Sequence, residues 1–455
     1  MPKISVIMPS LNVANYIEQC MESVINQTLR DIEIIAVDAG STDGTLEILE
    51  KYESTDNRVR VIHSSKRSYG YQLNLGISIA HGNFIGVVET DDYIESNMYE
   101  SLYKQALKSK ADYVKGGALK FFEKSEGETY SRKIEVFTEK EFAHDQGRIS
   151  VNPSVTPELI LKDYYLWTGI YEKNFIKSIK LNETSGAAYQ DIGFLFQTFC
   201  KAKKAVYLDE ILYHYRQDNP DASVYNHKAY QYLIDEYQYA DFLLQNQGHM
   251  WRTLSYCKLF RQTNLRIRLM AISGSVWDSA IINLQVISER LKQEIFQNST
   301  APQQLTSNEW LELNLLIKNP IELYDYHAKI ETERRNEFSF LLSKLAVAQQ
   351  IVVFGSGYLG EFVPFLLELN EIDTIEAYCD NNSNLWGSYL HGKPIISPEQ
   401  SIRDYPQAVY IVANKAHRKE IEKQLISMGI ADDHILAYTL GVDNLLLSKA
   451  YLKNY

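Results

Sequence analysis

Short, mainly apolar runs alternate with stretches of helical pattern through the N-terminal part of the chain. Ile4–Met8, Ile32–Val37, Val59–His63 and Phe84–Val88 read as buried strands, and Ala14–Gln27, Gly44–Tyr52 and Tyr71–Ala80 as the helices between them. Strands joined through helices of this length imply right-handed crossovers and a parallel sheet covered on both faces. Such sheets bind ligands outside the carboxyl ends of their strands. The polar residues after each strand therefore carry the chemistry: Pro9-Ser10, Asp38-Ala39-Gly40-Ser41, Ser64-Ser65-Lys66 and Glu89-Thr90-Asp91-Asp92.

The pattern then changes twice, which predicts an α/β region over 1–224, a helical region over 225–348 and a second α/β unit over 349–455. In the middle region Leu233, Tyr237, Ala240 and Leu244 fall on one helical face, and Asn298–Ser307 reads as an exposed loop. No catalytic spacing occurs there, so it is expected to serve as a scaffold or an oligomerisation surface. In the last region Ile351–Phe354 predicts a strand, Gly355-Ser356-Gly357-Tyr358-Leu359-Gly360 a turn, and the residues to about Asn370 a helix. A second strand, Thr374–Cys379, ends at Asp380; Val409–Ala413 is a further strand and Arg418–Met428 a helix. Gly355, Gly357 and Gly360 with Asp380 suit a dinucleotide such as NAD(H), phosphate on the helix N-terminus and carboxylate on the ribose. About a hundred residues without an evident hydride-transfer partner argue against a dehydrogenase and for a binding, regulatory or assembly module.

Composition narrows the function classes. An apolar fraction of 45% and a charged fraction of 23% are those of a chain that buries a large core. The net charge of −12, with no basic stripe, excludes polymeric nucleic acid as a natural partner. The 4 cysteines are scattered, which fits a reducing cytoplasm better than a disulfide framework or a zinc site. No stretch reads as a signal peptide or a membrane span, so a cytoplasmic protein, able to work peripherally at the inner membrane face, is expected. The 32 tyrosines, against 17 Phe and 5 Trp, suit polar clefts, since Tyr buries area like Phe and keeps a hydroxyl.

Three carboxylates within Glu89-Thr90-Asp91-Asp92 repel one another unless a cation lies among them, and oxygen ligands are those Mg²⁺ and Mn²⁺ prefer. A metal there would bridge a diphosphate and neutralise a departing nucleotide. Taken alone, the cluster reads equally well as an acidic helix start. It does not stand alone. Ile4–Asn12, Val37–Gly44, Asn74-Leu75-Gly76-Ile77, Glu89–Tyr93, Leu166–Tyr171 and Tyr189–Phe194 occur in the order of the motifs of the family-2 inverting glycosyltransferases of the GT-A fold, which the N-terminal part resembles.

That resemblance implies a GT-A (nucleotide-diphospho-sugar transferase) domain using a nucleotide-sugar, with UDP-sugar the first choice, and Mn²⁺ or Mg²⁺. It makes Asp191 the general base, although an isolated Asp at that place also reads as a helix cap. Pro9, Leu11, Asp38, Gly40, Ser41, Asn74, Glu89 and Asp91 fall on the donor side. Arg216 and Ser223 belong to a segment closing over the diphosphate, and Asp91, Asp92 and His214 are metal candidates. Trp167 and Gln190 fall on the acceptor side. The chain departs from the family pattern at Ala39, where a second Asp is common, at Glu89 for Asp and at Gln190 for Glu. Tyr71-Gln72-Leu73-Asn74 lacks the usual Arg, for which Lys66, Arg67 or Lys115 could substitute. The last region resembles small Rossmann-like domains appended to bacterial sugar-modifying enzymes, through Phe354–Gly357, Asp380-Asn381-Asn382 and Gly392–Ile395. The acceptor implied is a surface-glycan, lipid-linked or protein-linked hydroxyl. An NAD-dependent oxidoreductase and a catalytically idle nucleotide-binding scaffold are the alternatives.

Overall fold

The computed structural model describes residues 1–123, 129–163, 165–186, 189–219, 229–246, 249–274, 278–296, 304–368, 370–372 and 375–438. Packing divides the chain into two units, Met1–Arg266 with Val276–Leu323, and Ile267–Ser275 with Tyr324–Tyr455.

The first unit is built on one sheet. Its strands are β1 (Ile4–Ser10), β2 (Ile32–Asp38), β3 (Val59–His63), β4 (Phe84–Val87), β5 (Tyr93–Ile94), β6 (Tyr113–Glu123), β7 (Thr129–Ile134), β8 (Arg148–Val151), β9 (Gly169–Glu172) and β10 (Ala205–Arg216). The order is β3-β2-β1-β4-β9-β6-β10-β5, with β7 on β6 and β8 on β10. Every residue of β1, β2 and β4 is buried, as unalternating apolar runs covered on both faces must be. β1 pairs in parallel with both β2 and β4, and β2 with β3.

Beyond β4 the expectation of a parallel sheet gives way. β9 runs antiparallel to β4 and to β6, and β10 is parallel to β6 but antiparallel to β5 and β8. A parallel return needs a crossover of about a dozen residues or more, and closely spaced strands such as β6 and β7 pair antiparallel instead. The antiparallel pairing brings β10 onto β5, the residues just after the acidic turn, with Tyr213 opposite Ile94 and His214 opposite Tyr93.

Helix ends depart from the pattern for local reasons. The first helix spans Ile17–Ile25 rather than beginning at Ala14. The N–H groups of Val13 and Ala14 are bound by the side chains of Thr45 and Asp43. The third helix begins at Tyr69, because the Ser68 hydroxyl caps it by accepting from Tyr71 N–H. The helical region opens with Ala229–Leu244 and His249–Ser273. Leu233, Tyr237 and Ala240 are buried there as expected; the side chain of Leu244 lies outside the described residues. Of the loop read at Asn298–Ser307, residues 298–303 also lie outside them, and Thr306 starts the helix Ser307–Lys318 through a capping box with Glu309.

The second unit carries β11 (Ile351–Phe354), β12 (Ile375–Cys379), β13 (Tyr389–Leu390), β14 (Lys393–Ile396), β15 (Val409–Val412) and β16 (Ile435–Ala437). Their order is β13-β14-β12-β11-β15-β16, with β13 antiparallel on the edge and the rest parallel. This is the doubly wound order, and its switch point falls between β11 and β15.

Candidate functional site

The ends of β1 and β2 are laced into one rim. Asp38 is buried, and its carboxylate accepts the N–H of Gly40 (2.8 Å) and of Ser41 (3.0 Å) and the Ser41 hydroxyl (2.5 Å). Asn12, in the left-handed region at φ 52°, accepts from Thr42 N–H and donates its own N–H to Ser41 Oγ. Gly40 holds φ 83°, and the Arg67 guanidinium donates to its carbonyl at 3.1 Å. Leu11 is exposed. Asp38 thus shapes the turn by occupying the N–H groups of Gly40 and Ser41, and the rim leaves Leu11 exposed with the Arg67 guanidinium beside Gly40. Lys66 pairs with Glu183 at 3.0 Å, and Lys115 is buried against Asp163, so of the basic residues considered for this edge Arg67 is the one beside Gly40.

The acidic turn after β4 divides its carboxylates. Thr90 Oγ donates to the carbonyl of Pro9, fixing the turn to β1. Asp92 is buried; one oxygen accepts from the Tyr213 hydroxyl (2.8 Å) and the other from Arg216 N–H (2.7 Å). His214, stacked on Tyr93, places Nε2 2.7 Å from Glu95 Oε1. The expectation of Asp92 and His214 as metal ligands therefore meets groups already engaged with the protein. Asp91 is only partly buried and uses one oxygen on Asn219 Nδ2. Glu89 accepts from the Tyr69 hydroxyl at 2.5 Å. Burial, with Asp91 and Asp191 nearby, pushes the Glu89 carboxyl up to about 8. Among the described residues no group of three or more His, Cys, Asp or Glu is arranged to hold a metal by itself.

Arg216 does not offer a fork to phosphate. Its Nε donates to the Asp91 carbonyl (2.8 Å), and Nη2 donates to Gln19 Oε1 (2.5 Å) and Glu123 Oε1 (2.9 Å). Nη1 pairs with Asp218 at 3.3 Å, and the guanidinium lies between the rings of Tyr16 and Phe121. It braces the acidic turn from behind. Ser223 lies outside the described residues.

Asp191 stands in the first turn of the helix Gln190–Lys201, after Tyr189 at φ 68°. It is partly buried, and burial holds its carboxyl above the ordinary carboxylate range, offset by Lys258 and by the N–H groups of Asp191 and Ile192. Its neighbour Gln190 accepts from Gly70 N–H, and the adjacent Tyr69 donates its hydroxyl to Glu89, which links the Asp191 helix to the acidic turn. Gln190 is buried and structural: its Oε1 accepts from Gly70 N–H (2.7 Å), and its Nε2 donates to Ser68 Oγ (3.3 Å) and the Thr184 carbonyl (3.0 Å). Asn74 likewise faces the protein, bonded both ways to the Leu181 backbone and to Glu183. Trp167 stacks on Tyr213 at 4.1 Å, and the same Tyr213 hydroxyl that serves Asp92 accepts from Glu89 N–H. The Trp167 segment is thereby joined to the acidic turn through one tyrosine.

Tyr69, Glu236 and Lys258 also border this region, and the pattern reading did not single them out for it. For Glu236 a signal existed: it lies between Leu233 and Tyr237, a carboxylate inside an apolar stripe.

In the second unit the glycine turn closes on itself. Asp380 Oδ2 accepts both the N–H (2.9 Å) and the hydroxyl (2.7 Å) of Ser356, and Oδ1 accepts Asn382 N–H. A Cβ on Gly360 would stand 1.8 Å from the Gly355 carbonyl oxygen, so the helix leaves the turn at a distance only glycine permits. Gly355 takes φ 105°, and Gly357 faces open space. The carboxylate expected on a ribose holds the turn instead.

Residues 5–160 match the sequence profile described as Glycosyl transferase family 2, and residues 347–436 the one described as C2185-like, N-terminal. The chain is 33% identical over 228 residues to the uncharacterized glycosyltransferase EpsJ of Bacillus subtilis (strain 168), covering 49% of this chain and 62% of that one. It therefore spans less than two thirds of that relative. It is 34% identical over 225 residues to the glycosyltransferase GlyG of Streptococcus pneumoniae serotype 4, covering 47% of this chain and 70% of that one. In fold it is similar to the crystal structure of S. aureus TarS 1-349 in complex with UDP-GlcNAc, with a TM-score of 0.51 and 19% identity over 73% of this chain and 92% of that one.

Proposed function

The chain belongs to glycosyl transferase family 2, and on that premise we propose that it moves a sugar from a nucleoside diphosphate to an acceptor hydroxyl in one displacement with inversion, Asp191 acting as the base. The observation that carries this reading is the link from the Asp191 helix to the acidic turn: Gln190, beside Asp191, accepts from Gly70 N–H at 2.7 Å, and the adjacent Tyr69 donates its hydroxyl to Glu89 at 2.5 Å.

The step balances without a protein nucleophile. The acceptor oxygen gives its proton to the Asp191 carboxylate as it bonds to the anomeric carbon. The bond from that carbon to the β-phosphate oxygen breaks, and its electron pair leaves with the nucleoside diphosphate. The rim of Leu11, Gly40, Ser41 and Arg67 receives the nucleotide, Arg67 supplying the positive charge that Arg216 does not. The residues fit a Mg²⁺-type ion held through one carboxylate and the donor's own phosphates, Asp91 being the protein's share. Burial first, and then the Asp91 and Asp191 charges, raise the Glu89 carboxyl, and such an ion would relieve the charge part of that. When bound it would neutralise charge on the leaving diphosphate.

UDP-sugars are the first donors to try, and UDP-GlcNAc is the donor bound in the TarS structure. The acceptor proposed is a glycan or a lipid- or protein-linked hydroxyl of a bacterial surface polymer. No helix among the described residues is long and apolar enough to cross a membrane; peripheral work at the inner membrane face is part of the proposal.

The test is a panel of UDP-GlcNAc, UDP-glucose, UDP-galactose and GDP-mannose with Mn²⁺ or Mg²⁺, read by mass spectrometry of the released nucleotide. One donor is expected to release nucleoside diphosphate, with loss under EDTA and recovery on adding the metal back. No release from any donor, or release indifferent to EDTA, overturns the donor or the metal part respectively.

A further inference from the structure

The helix carrying Asp191 starts without a cap of its own. Tyr189 is left-handed and gives no side-chain hydrogen bond, and Ile192 N–H closes a tight turn onto the Tyr189 carbonyl at 3.0 Å. The next N–H, that of Gly193, needs a partner from elsewhere. It donates to Glu236 Oε1 at 2.8 Å, from the first helix of the helical region. The other oxygen, Oε2, accepts from Asn182 Nδ2 at 3.1 Å, and Asn182 belongs to the segment that also holds Asn74 of the helix Tyr69–Ile79.

Glu236 is 1% exposed, and burying a carboxylate among Leu233 and Tyr237 costs stability unless its hydrogen bonds are needed. The contact leaves no room for a side chain at its other end: a Cβ on Gly193 would stand 2.4 Å from Glu236 Oε1 and 3.1 Å from the Tyr239 ring. Arg266, from the following helix, lies 4.9 Å from the Tyr189 ring centroid. The helical region thus grips the base-bearing turn at both Tyr189 and Gly193.

We propose that Glu236 is a positioning residue for the transfer reaction, the helical region acting through it to fix the turn that aims Asp191. The proposal rests on the assignment of Asp191 as base. Misplacing a reacting group by about 1 Å costs on the order of 10²-fold in rate, so an unanchored first turn should depress turnover and spare donor binding.

Three variants of the full chain test it, with UDP-GlcNAc, or whichever panel donor the wild type uses, and water as acceptor. Glu236→Ala removes the anchor. Gly193→Ala displaces it while favouring the helix by about 1 kcal/mol in propensity. Glu236→Gln keeps an acceptor for Gly193 N–H. The two alanine variants are expected to lose about 10²-fold in kcat with donor KM within about threefold, and Gln is expected to recover to within about fivefold of wild type. Hydrogen exchange of residues 189–201 should quicken in both alanine variants and not in Gln, independently of any activity.

Turnover near wild type in both alanine variants overturns the proposal. So does a Gln variant as slow as Ala. If the wild type releases no nucleotide from any donor, the glycosyltransferase reading fails; unaltered exchange at 189–201 in the alanine variants would separately show that Glu236 does not hold the turn.

Discussion

Asp191→Asn is expected to lower kcat by about 10²–10⁴-fold, the range a positioned general base contributes, with donor affinity close to wild type. The amide keeps the size of the side chain and cannot take the acceptor's proton. The same variant should lose the acid limb of the pH–rate profile. In the wild type, burial raises Asp191 above the usual carboxylate range and Lys258 pulls it back. With Asp191 as the proposed base, activity needs the deprotonated carboxylate, so kcat/KM is expected to rise with pH through that raised value. Removing the Lys258 charge (Lys258→Met) takes away a force favouring the carboxylate, and the acid limb should move to higher pH. A limb that stays in place when Asp191 is Asn, or that moves to lower pH when Lys258 is Met, would place the base elsewhere.

Asp163→Asn is expected to destabilise the first unit by about 3–5 kcal/mol, the cost of leaving one partner of a buried ion pair alone. Lys115 Nζ meets Asp163 Oδ2 at 2.5 Å, and each side chain is 1% exposed. Asp163 also accepts from the Tyr207 hydroxyl (3.0 Å) and from Tyr165 N–H (3.1 Å), and Lys115 donates to the Tyr165 carbonyl (2.7 Å). Burial pulls the Lys115 ammonium below its usual range and Asp163 sustains it, so losing that charge strands a cation in an apolar setting. The pair also fixes the start of the segment leading to Trp167, so donor turnover should suffer before global unfolding. Urea unfolding followed by tryptophan fluorescence measures the first effect. The double change Lys115→Met with Asp163→Leu should recover part of the loss, since no charge is then left unpaired. A stability loss under about 1 kcal/mol in Asp163→Asn would mean that the pair is not sustaining the core.

The strands of the parallel half were legible because each is a short, mainly apolar run between helical stretches, and the carboxyl-end loops followed from the crossover rule. The antiparallel half was not, because pairing direction beyond β4 depends on which strands β9 and β10 meet, and no local periodicity encodes that. The acidic turn and Asp191 were legible as motifs. Their division of labour was not: Asp92, His214, Arg216, Gln190 and Asn74 look in sequence like groups aimed at a ligand, and in the fold they hold the protein to itself. A polar side chain at a site edge can face ligand or scaffold, and the choice is made by neighbours distant in sequence, such as Tyr213 for Asp92 and Glu123 for Arg216.

By itself the sequence determined the order of strands and helices over the first ninety or so residues and the glycine turns at Gly40 and Gly355–Gly360, because each follows from residues near one another along the chain. Only the tertiary structure decided that Asp91 is less engaged than Asp92 in the acidic turn, that Arg67 borders the Gly40 rim, and that Glu236 grips the Asp191 turn. Those outcomes depend on contacts across tens of residues, such as Glu236 with Gly193 and Arg67 with Gly40. Burial and hydrogen-bond satisfaction, rather than residue type, settle each of them.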